Sequence, residues 1–436
     1  MQKNEGPKVD RQAVVVIHGI GEQRPMDTLR SFVKCILPNV SNAGNPAYFS
    51  KPDAFSDNYE LRRLTVTEKK DNFKTDFYEF YWANSIQGTQ VSDVWNWVRK
   101  LFLRRPGSIP RRLRSIYFSF WLAAITLIAT LASTGIAIAA IWKDFIDGSL
   151  LNVSLGLLAS AILAVFNGIL VNYLGDAVRY MTPLPRNINE RQQIRKAGIQ
   201  LLRRLHETDQ NGKNRYDRVV VVGHSLGSVI AYDLLNLFWC ERNTGIPTIS
   251  PDKMDLAESQ ATDLMGGSIS TDQYRQGQFA FWAAQAPRKG SWRISDFITL
   301  GSPLAFAELY LAESELAFDE KKRQREFSTC PPEMEKNNAG QFFFSYPLKS
   351  DGQVRTLHHA APFAFTRWTN IFFANDFVGG PIEGFGSGVE NTRLAPQRLA
   401  WLPFFSHTRY WDELETESLS LIRARMEMRF AENPDL

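Results

Sequence analysis

Residues 218–238 read RVVVVGHSLGSVIAYDLLNLF, and the fold follows from the change of rhythm inside them. Arg218–Val222 is a β-branched run without polar alternation, the pattern of a strand buried on both faces of a parallel sheet. From Leu226 onward the apolar positions Leu226, Val229, Ile230, Leu234, Leu237 and Phe238 recur at helical spacing. Between the two lies Gly223-His224-Ser225-Leu226-Gly227, a match to G-x-S-x-G in the strand–turn–helix setting that the motif requires. A turn this sharp needs glycines to clear space. It lifts the Ser225 hydroxyl above the sheet and sets the first amides of the helix beside it, where a developing negative charge is stabilised.

The same alternation extends along the chain. Ala13–Ile17 (AVVVI) reads as a buried strand that stops at His18-Gly19-Ile20-Gly21, with a helix following over Met26–Leu37. Asp76–Trp82 (DFYEFYW), Asp296–Leu300 (DFITL) and Asn370–Ala374 (NIFFA) read as further strands. Asn187 and Glu190 have capping-box spacing, and Ile194, Gly198, Leu201, Leu202 and Leu205 then mark one helical face. The expectation is an α/β fold, a mostly parallel sheet with helices on both faces. Residues 241–280 and 311–360 are polar and read as irregular insertions, and the glycines of GFGSG (384–388) read as a mobile loop.

Composition narrows the functional classes. Of 436 residues, 44% are hydrophobic and 22% charged, which supplies a core and excludes disorder as the main state. Fifty Lys and Arg against 46 Asp and Glu give a charge of +4, so no nucleic-acid partner is expected. Cys35, Cys240 and Cys330 are odd in number and far apart, so neither a disulfide framework nor a CxxC site is expected. There is no HExxH, no GxxxxGK[ST] and no GxGxxG, so neither a metal nor another cofactor is expected. Residues 1–12 are polar, so a cleaved secretory signal is not expected.

One composition shift stands out. No charged residue occurs from Ser115 to Trp142 or from Gly148 to Gly175, and each stretch exceeds the ~20 residues a membrane-crossing helix needs. Small-residue stripes (Ala129, Ser133, Ala137; Gly156, Ser160, Ala164, Gly168) would let two such helices pair. Arg99, Lys100, Arg104, Arg105, Arg111, Arg112 and Arg114 precede the first stretch. Arg179, Arg186, Arg191, Arg195 and Lys196 follow the second, and only Lys143 lies between the two stretches. That bias places both long flanks in the cytoplasm. The expected organisation is a first part over 1–98, basic flanks and a two-span transmembrane hairpin over 99–182, and the remainder over 183–436. The localisation expected is the membrane, with the catalytic domain facing the cytoplasm. A lid or an oligomerisation element is the other reading of the apolar hairpin.

A serine hydroxyl needs a base. The histidines are His18, His206, His224, His358, His359 and His407, and His407 is the one that follows a credible acid in the order Ser, Asp, His. That acid is Asp376, directly after the strand Asn370–Ala374; Glu383 and Asp412 are less well placed, and Asp376 also suits a turn cap. The amides of Ile20 and Leu226 would form an oxyanion hole.

Taken together, HGIG (18–21), GHSLG (223–227), the Asn375-Asp376 turn and Ser406-His407 resemble the α/β-hydrolase-fold serine esterases and lipases. Gly301-Ser302-Pro303 after a strand also recurs in lipase-like members. The resemblance covers 13–37, 75–83, 185–240, 295–305 and 365–411, and HGIGEQRP with an apolar insertion is similar to bacterial membrane hydrolases. It implies an α/β-hydrolase sheet with catalysis by Ser225, His407 and Asp376 through an acyl-enzyme. The expected substrate is an acyl ester of a lipid, because an anchored enzyme meets membrane substrates at high local concentration. The alternatives are a non-catalytic membrane interaction protein on the same scaffold and a soluble esterase or thioesterase whose hairpin is a lid.

Overall fold

The β-branched runs form the centre of an eight-stranded sheet. In the computed structural model the described residues are 9–19, 24–37, 46–56, 58–68, 73–85, 187–286, 288–338, 340–347, 354–376, 378–397 and 406–428. Ile109, Arg114, Phe118, Trp121, Tyr180, Met181 and Pro185 are described as well. The strands are β1 (Arg11–Ile17), β2 (Phe49–Pro52), β3 (Arg62–Glu68), β4 (Phe73–Phe80), β5 (Arg218–His224), β6 (Ile294–Leu300), β7 (Arg367–Phe373) and β8 (Glu390–Leu394). Their order across the sheet is β8-β7-β6-β5-β1-β4-β3-β2. Six strands run parallel, from β4 through β1 to β8, while β3 and β2 add antiparallel at one end.

The sheet is mostly parallel because its central strands are buried on both faces. Every residue of β5 is buried, as is every residue of β1 after Arg11. On one face Val14, Val16, Val220, Val222, Ile298 and Ile371 share a core with Leu29, Phe32, Val33 and Ile36 of α1 (Asp27–Ile36) and with Leu419 and Ile422 of α6 (Thr416–Arg425). On the other, Val15, Ile17 and Val221 meet Leu201 and Leu202 of α2 (Ile188–Leu205) and Leu234 and Leu235 of α3 (Leu226–Arg242). Each such side chain, fully buried, contributes ~1.5–3 kcal/mol. The helix expected after Asn187 begins at Ile188 and buries all five residues of its marked face.

The chain divides into two units. One comprises Met1–Ser85, Gln192–Ala307 and Asp319–Leu436 and holds the whole sheet; the other comprises Ile86–Arg191 and Glu308–Phe318.

The expected membrane placement is corrected. Among the described residues no helix is long and apolar enough to cross a membrane. The longest, α2, has 18 residues but carries Glu190, Arg191, Arg195, Lys196, Arg203 and Arg204. The two stretches 115–142 and 148–175 lie outside the described residues apart from Phe118 and Trp121. A two-span transmembrane chain with its catalytic domain facing the cytoplasm is therefore not supported.

Other readings change in detail. Residues 241–280, expected to be irregular, hold α4 (Pro251–Met265) and most of α5 (Thr271–Gln285). The second of these opens with a complete capping box between Ser270 and Gln273. The GFGSG segment is tied down rather than loose: Cys330 N–H donates to Phe385 O and Gly388 N–H to Cys330 O, both at 2.7 Å.

At the N-terminal ends of β5–β8 lies a network of ion pairs built around the buried pair Arg218–Asp296. Arg218 reaches Asp296 Oδ2 at 2.7 Å and Glu427 at 2.9 Å, and Arg367 reaches Asp296 Oδ1 and Glu427 at 2.8 Å. Arg275 and Arg425 share Glu390. Burial would push the Asp296 carboxyl up, but Arg367 and Arg218 outweigh it and hold it well below the usual carboxylate range.

Candidate active site

Ser225, Asp376 and His407 come from three loops at the C-terminal ends of the parallel strands, the end where α/β sheets assemble ligand sites. Ser225 sits between β5 and α3 with φ 52° and ψ −129°. That conformation costs a non-glycine residue ~1–3 kcal/mol and persists only where its surroundings hold it. Here Ser225 N–H donates to Leu300 O at 3.0 Å, and Ser228 N–H donates to Ser225 O at 3.0 Å. The Ser228 hydroxyl donates to the same carbonyl at 2.5 Å, so the hydroxyl of Ser302, 2.6 Å away, is left to donate to Ser228 Oγ. The turn is also crowded: a Cβ on Gly227 would lie 2.2 Å from Ile17 O, and one on Gly19 would lie 2.8 Å from Ser225 Cβ.

His407 bridges the other two members. Its Nδ1 lies 2.8 Å from Asp376 Oδ2 and its Nε2 lies 2.9 Å from Ser225 Oγ. A carboxylate only accepts, so Nδ1 carries the proton, and the Nε2 lone pair is free to accept from the serine hydroxyl. Asp376 stands in the turn after β7. Its Oδ1 accepts Val378 N–H at 2.8 Å, which is the turn-cap role, while Oδ2 serves the imidazole. Burial would raise the Asp376 carboxyl, yet donors from His407, Tyr410 and Val378 outweigh it and hold it below its ordinary value. Ser225 is 2% exposed and His407 5%, so these contacts act in a surrounding far less polarisable than water.

Comparison with protein-family models, with curated proteins and with solved structures returned no match. What the site can do rests on its own geometry.

Of the expected residues, Ser225, His407 and Asp376 are brought together. Leu226 is the first residue of α3, where an amide has no partner within the helix. Ile20 lies outside the described residues, although Gly19 before it stands against Ser225. The other histidines are occupied elsewhere. His206 Nδ1 donates to Leu202 O at 2.8 Å, His358 Nε2 donates to Glu333 O at 3.0 Å, and His359 is exposed. His18 stacks on Trp82 at 5.0 Å, donates from Nδ1 to Gly19 O and accepts Trp82 N–H; burial lowers it to about 4. Among the described residues no cluster of His, Cys, Asp and Glu could hold a metal ion.

Four residues beside Ser225, His407 and Asp376 were given no role by the sequence. His224 Nε2 donates to the backbone O of His407 at 2.8 Å, anchoring the segment that carries the base. Ser228 and Ser302 brace the elbow from behind. The Tyr410 hydroxyl donates to Asp376 Oδ2 at 2.7 Å. The one signal for these was position: Ser228 is three residues past Ser225, and Tyr410 is three past His407.

Proposed function

We propose that the protein is a serine hydrolase of the α/β-hydrolase type that cleaves acyl esters through an acyl-enzyme. The observation that carries this reading is the single imidazole of His407 within hydrogen-bond distance of both Ser225 Oγ and Asp376 Oδ2. The strained serine turn after β5, the acid after β7 and the base after β8 support it.

In this reading Ser225 Oγ attacks the acyl carbon as its proton passes to His407 Nε2. The imidazolium so formed is held by Asp376 Oδ2 and then protonates the leaving alkoxide. The oxyanion is held by the amides of Leu226 and Ile20, where each donor is worth ~3 kcal/mol of transition-state stabilisation. Water, deprotonated by the same Nε2, attacks the acyl-enzyme, and the proton goes back to Ser225 as the acid leaves. A lipid ester was expected on the ground of membrane anchoring; no helix among the described residues supports that anchoring, so the reading stays with acyl esters as a class.

The test is hydrolysis of p-nitrophenyl esters together with fluorophosphonate labelling. Ser225→Ala should abolish both, and His407→Ala should cost nearly as much activity, a loss on the order of 10⁴-fold or more. Both variants should keep wild-type circular dichroism. Wild-type protein that takes no label would favour a non-catalytic scaffold, and near-wild-type turnover in Ser225→Ala would end the proposal.

A further inference from the structure

Tyr410 is fully buried, and its ring stacks on Phe373 with centroids 4.5 Å apart. Its hydroxyl accepts Phe373 N–H at 3.1 Å and gives its one proton to Asp376 Oδ2 at 2.7 Å. Burial and the neighbouring carboxylate raise the phenol well above its ordinary range, so the hydroxyl remains a neutral donor. Oδ2 is also the oxygen that receives His407 Nδ1–H. The oxygen that must balance the imidazolium is thus shared with a permanent second donor, while Oδ1 is taken by Val378 N–H.

We propose that Tyr410 is a positioning residue that sets how tightly Asp376 holds the protonated His407. Its hydrogen bond fixes the rotation of the carboxylate so that Oδ2 faces Nδ1. It also draws charge from that oxygen, so that the imidazolium is stabilised without being trapped. A carboxylate that accepts an additional hydrogen bond is a weaker base and a weaker partner for a cation. The inference rests on the triad reading above. Among the described residues the other titratable groups facing the pair are Ser225 at the elbow, His224 at the end of β5, 5.0 Å from the His407 ring, and His18 after β1, which acts on His224. Burial lowers His224 to about 3 and His18 to about 4, so neither carries a charge near neutral pH.

Two replacements at position 410 test this in opposite directions. Tyr410→Phe keeps the ring and removes the donor. The acid limb of the kcat/KM profile should then move to higher pH by roughly half to one unit, with kcat on the plateau falling several-fold and KM unchanged. The low-field proton resonance of His407 Nδ1–H should move downfield, a readout that needs no turnover. Site-specific 3,5-difluorotyrosine at 410 preserves packing and donates more strongly, so it should move the acid limb to lower pH. A limb and an Nδ1 resonance unmoved by either replacement would overturn the proposal, even if kcat or stability fell. The two readings fail separately. If Ser225→Ala is inactive while the limb stays fixed, only the role of Tyr410 is lost; if Ser225→Ala is active, the triad itself is wrong.

Discussion

Lowering the pH from 7 to 5 should remove a large part of the folding free energy, because three buried histidines are locked in the neutral state. Each uses one ring nitrogen as donor to a carbonyl and the other as acceptor from a backbone N–H. For His18 the pair is Gly19 O and Trp82 N, for His206 it is Leu202 O and Arg293 N, and for His358 it is Glu333 O and Ala360 N. A second proton would set N–H against N–H. Burial, the main cause in each case, lowers His18 to about 4 and His358 to about 3 and holds His206 well below its ordinary value. His224, lowered to about 3 chiefly by burial, behaves alike. The unfolded chain takes up these protons near pH 6.5 and the folded chain does not, so stability present above 6.5 is lost as pH falls. At ~1.4 kcal/mol per pH unit, each histidine costs about 2 kcal/mol by pH 5, and the four together about 8 kcal/mol. Glu79 acts in the opposite direction. Burial raises its carboxyl to about 7, so the folded state gains about 2 kcal/mol over the same interval. The loss left from these five groups, about 6 kcal/mol, is comparable to the whole stability of a marginal domain. Urea unfolding followed by tryptophan fluorescence at pH 7, 6 and 5 measures it, with histidine ¹⁵N spectra reporting each ring. An unfolding free energy at pH 5 within about 1 kcal/mol of that at pH 7 would refute the locked-neutral assignment.

Two further substitutions probe the frame. Gly227→Ala drives a Cβ to 2.2 Å from Ile17 O, a backbone atom that cannot yield without parting α3 from β1. The loss should be at least ~3 kcal/mol, and a chemical-denaturation midpoint like that of wild type would show that the elbow is looser than described. Arg218→Met leaves Asp296 with Arg367 as its remaining charged partner and strips Glu427 of one partner. Breaking a buried pair from one side should cost ~3–5 kcal/mol, whereas a neutral outcome in the same denaturation assay would mean that Arg367 suffices.

The parts legible in the sequence were those whose signal is local. β5 and β1 announce themselves as β-branched runs, and the grouping of Ser225, Asp376 and His407 was expected from the elbow plus the order of acid and base. β2 and β3 did not show. Phe49–Pro52 is exposed at every position, and Arg62–Glu68 is rich in Arg and Thr, so their pairing is fixed by β4 rather than by their own pattern. α4 and α5 were missed because part of what they bury is polar. Glu258 accepts from Ser345 and Arg355, and the Gln278 side-chain NH2 donates to the carbonyls of Phe363 and Thr366, partners far along the chain that hydropathy does not register. The Ser270–Gln273 capping box was there to be read. Tyr410 was not, since nothing in SHTRYW tells which aromatic side chain turns toward Asp376.

The position of β1 has a consequence in time. It is the first strand of the sheet to be synthesised, yet it lies in the middle, between β4 and β5. Its pairing with β4 can form early, but Val219–Gly223, its partners on the other side, arrive about 200 residues later. At the ~5–20 residues per second of synthesis, that is roughly 10–40 s with one edge of the apolar run Ala13–Ile17 unpaired. Glu427, which ties Arg218 to the end of α6, comes later still. A nascent chain that stalls before Arg218 therefore presents Ala13–Ile17 as an open edge, the kind of edge that recruits strands from other chains.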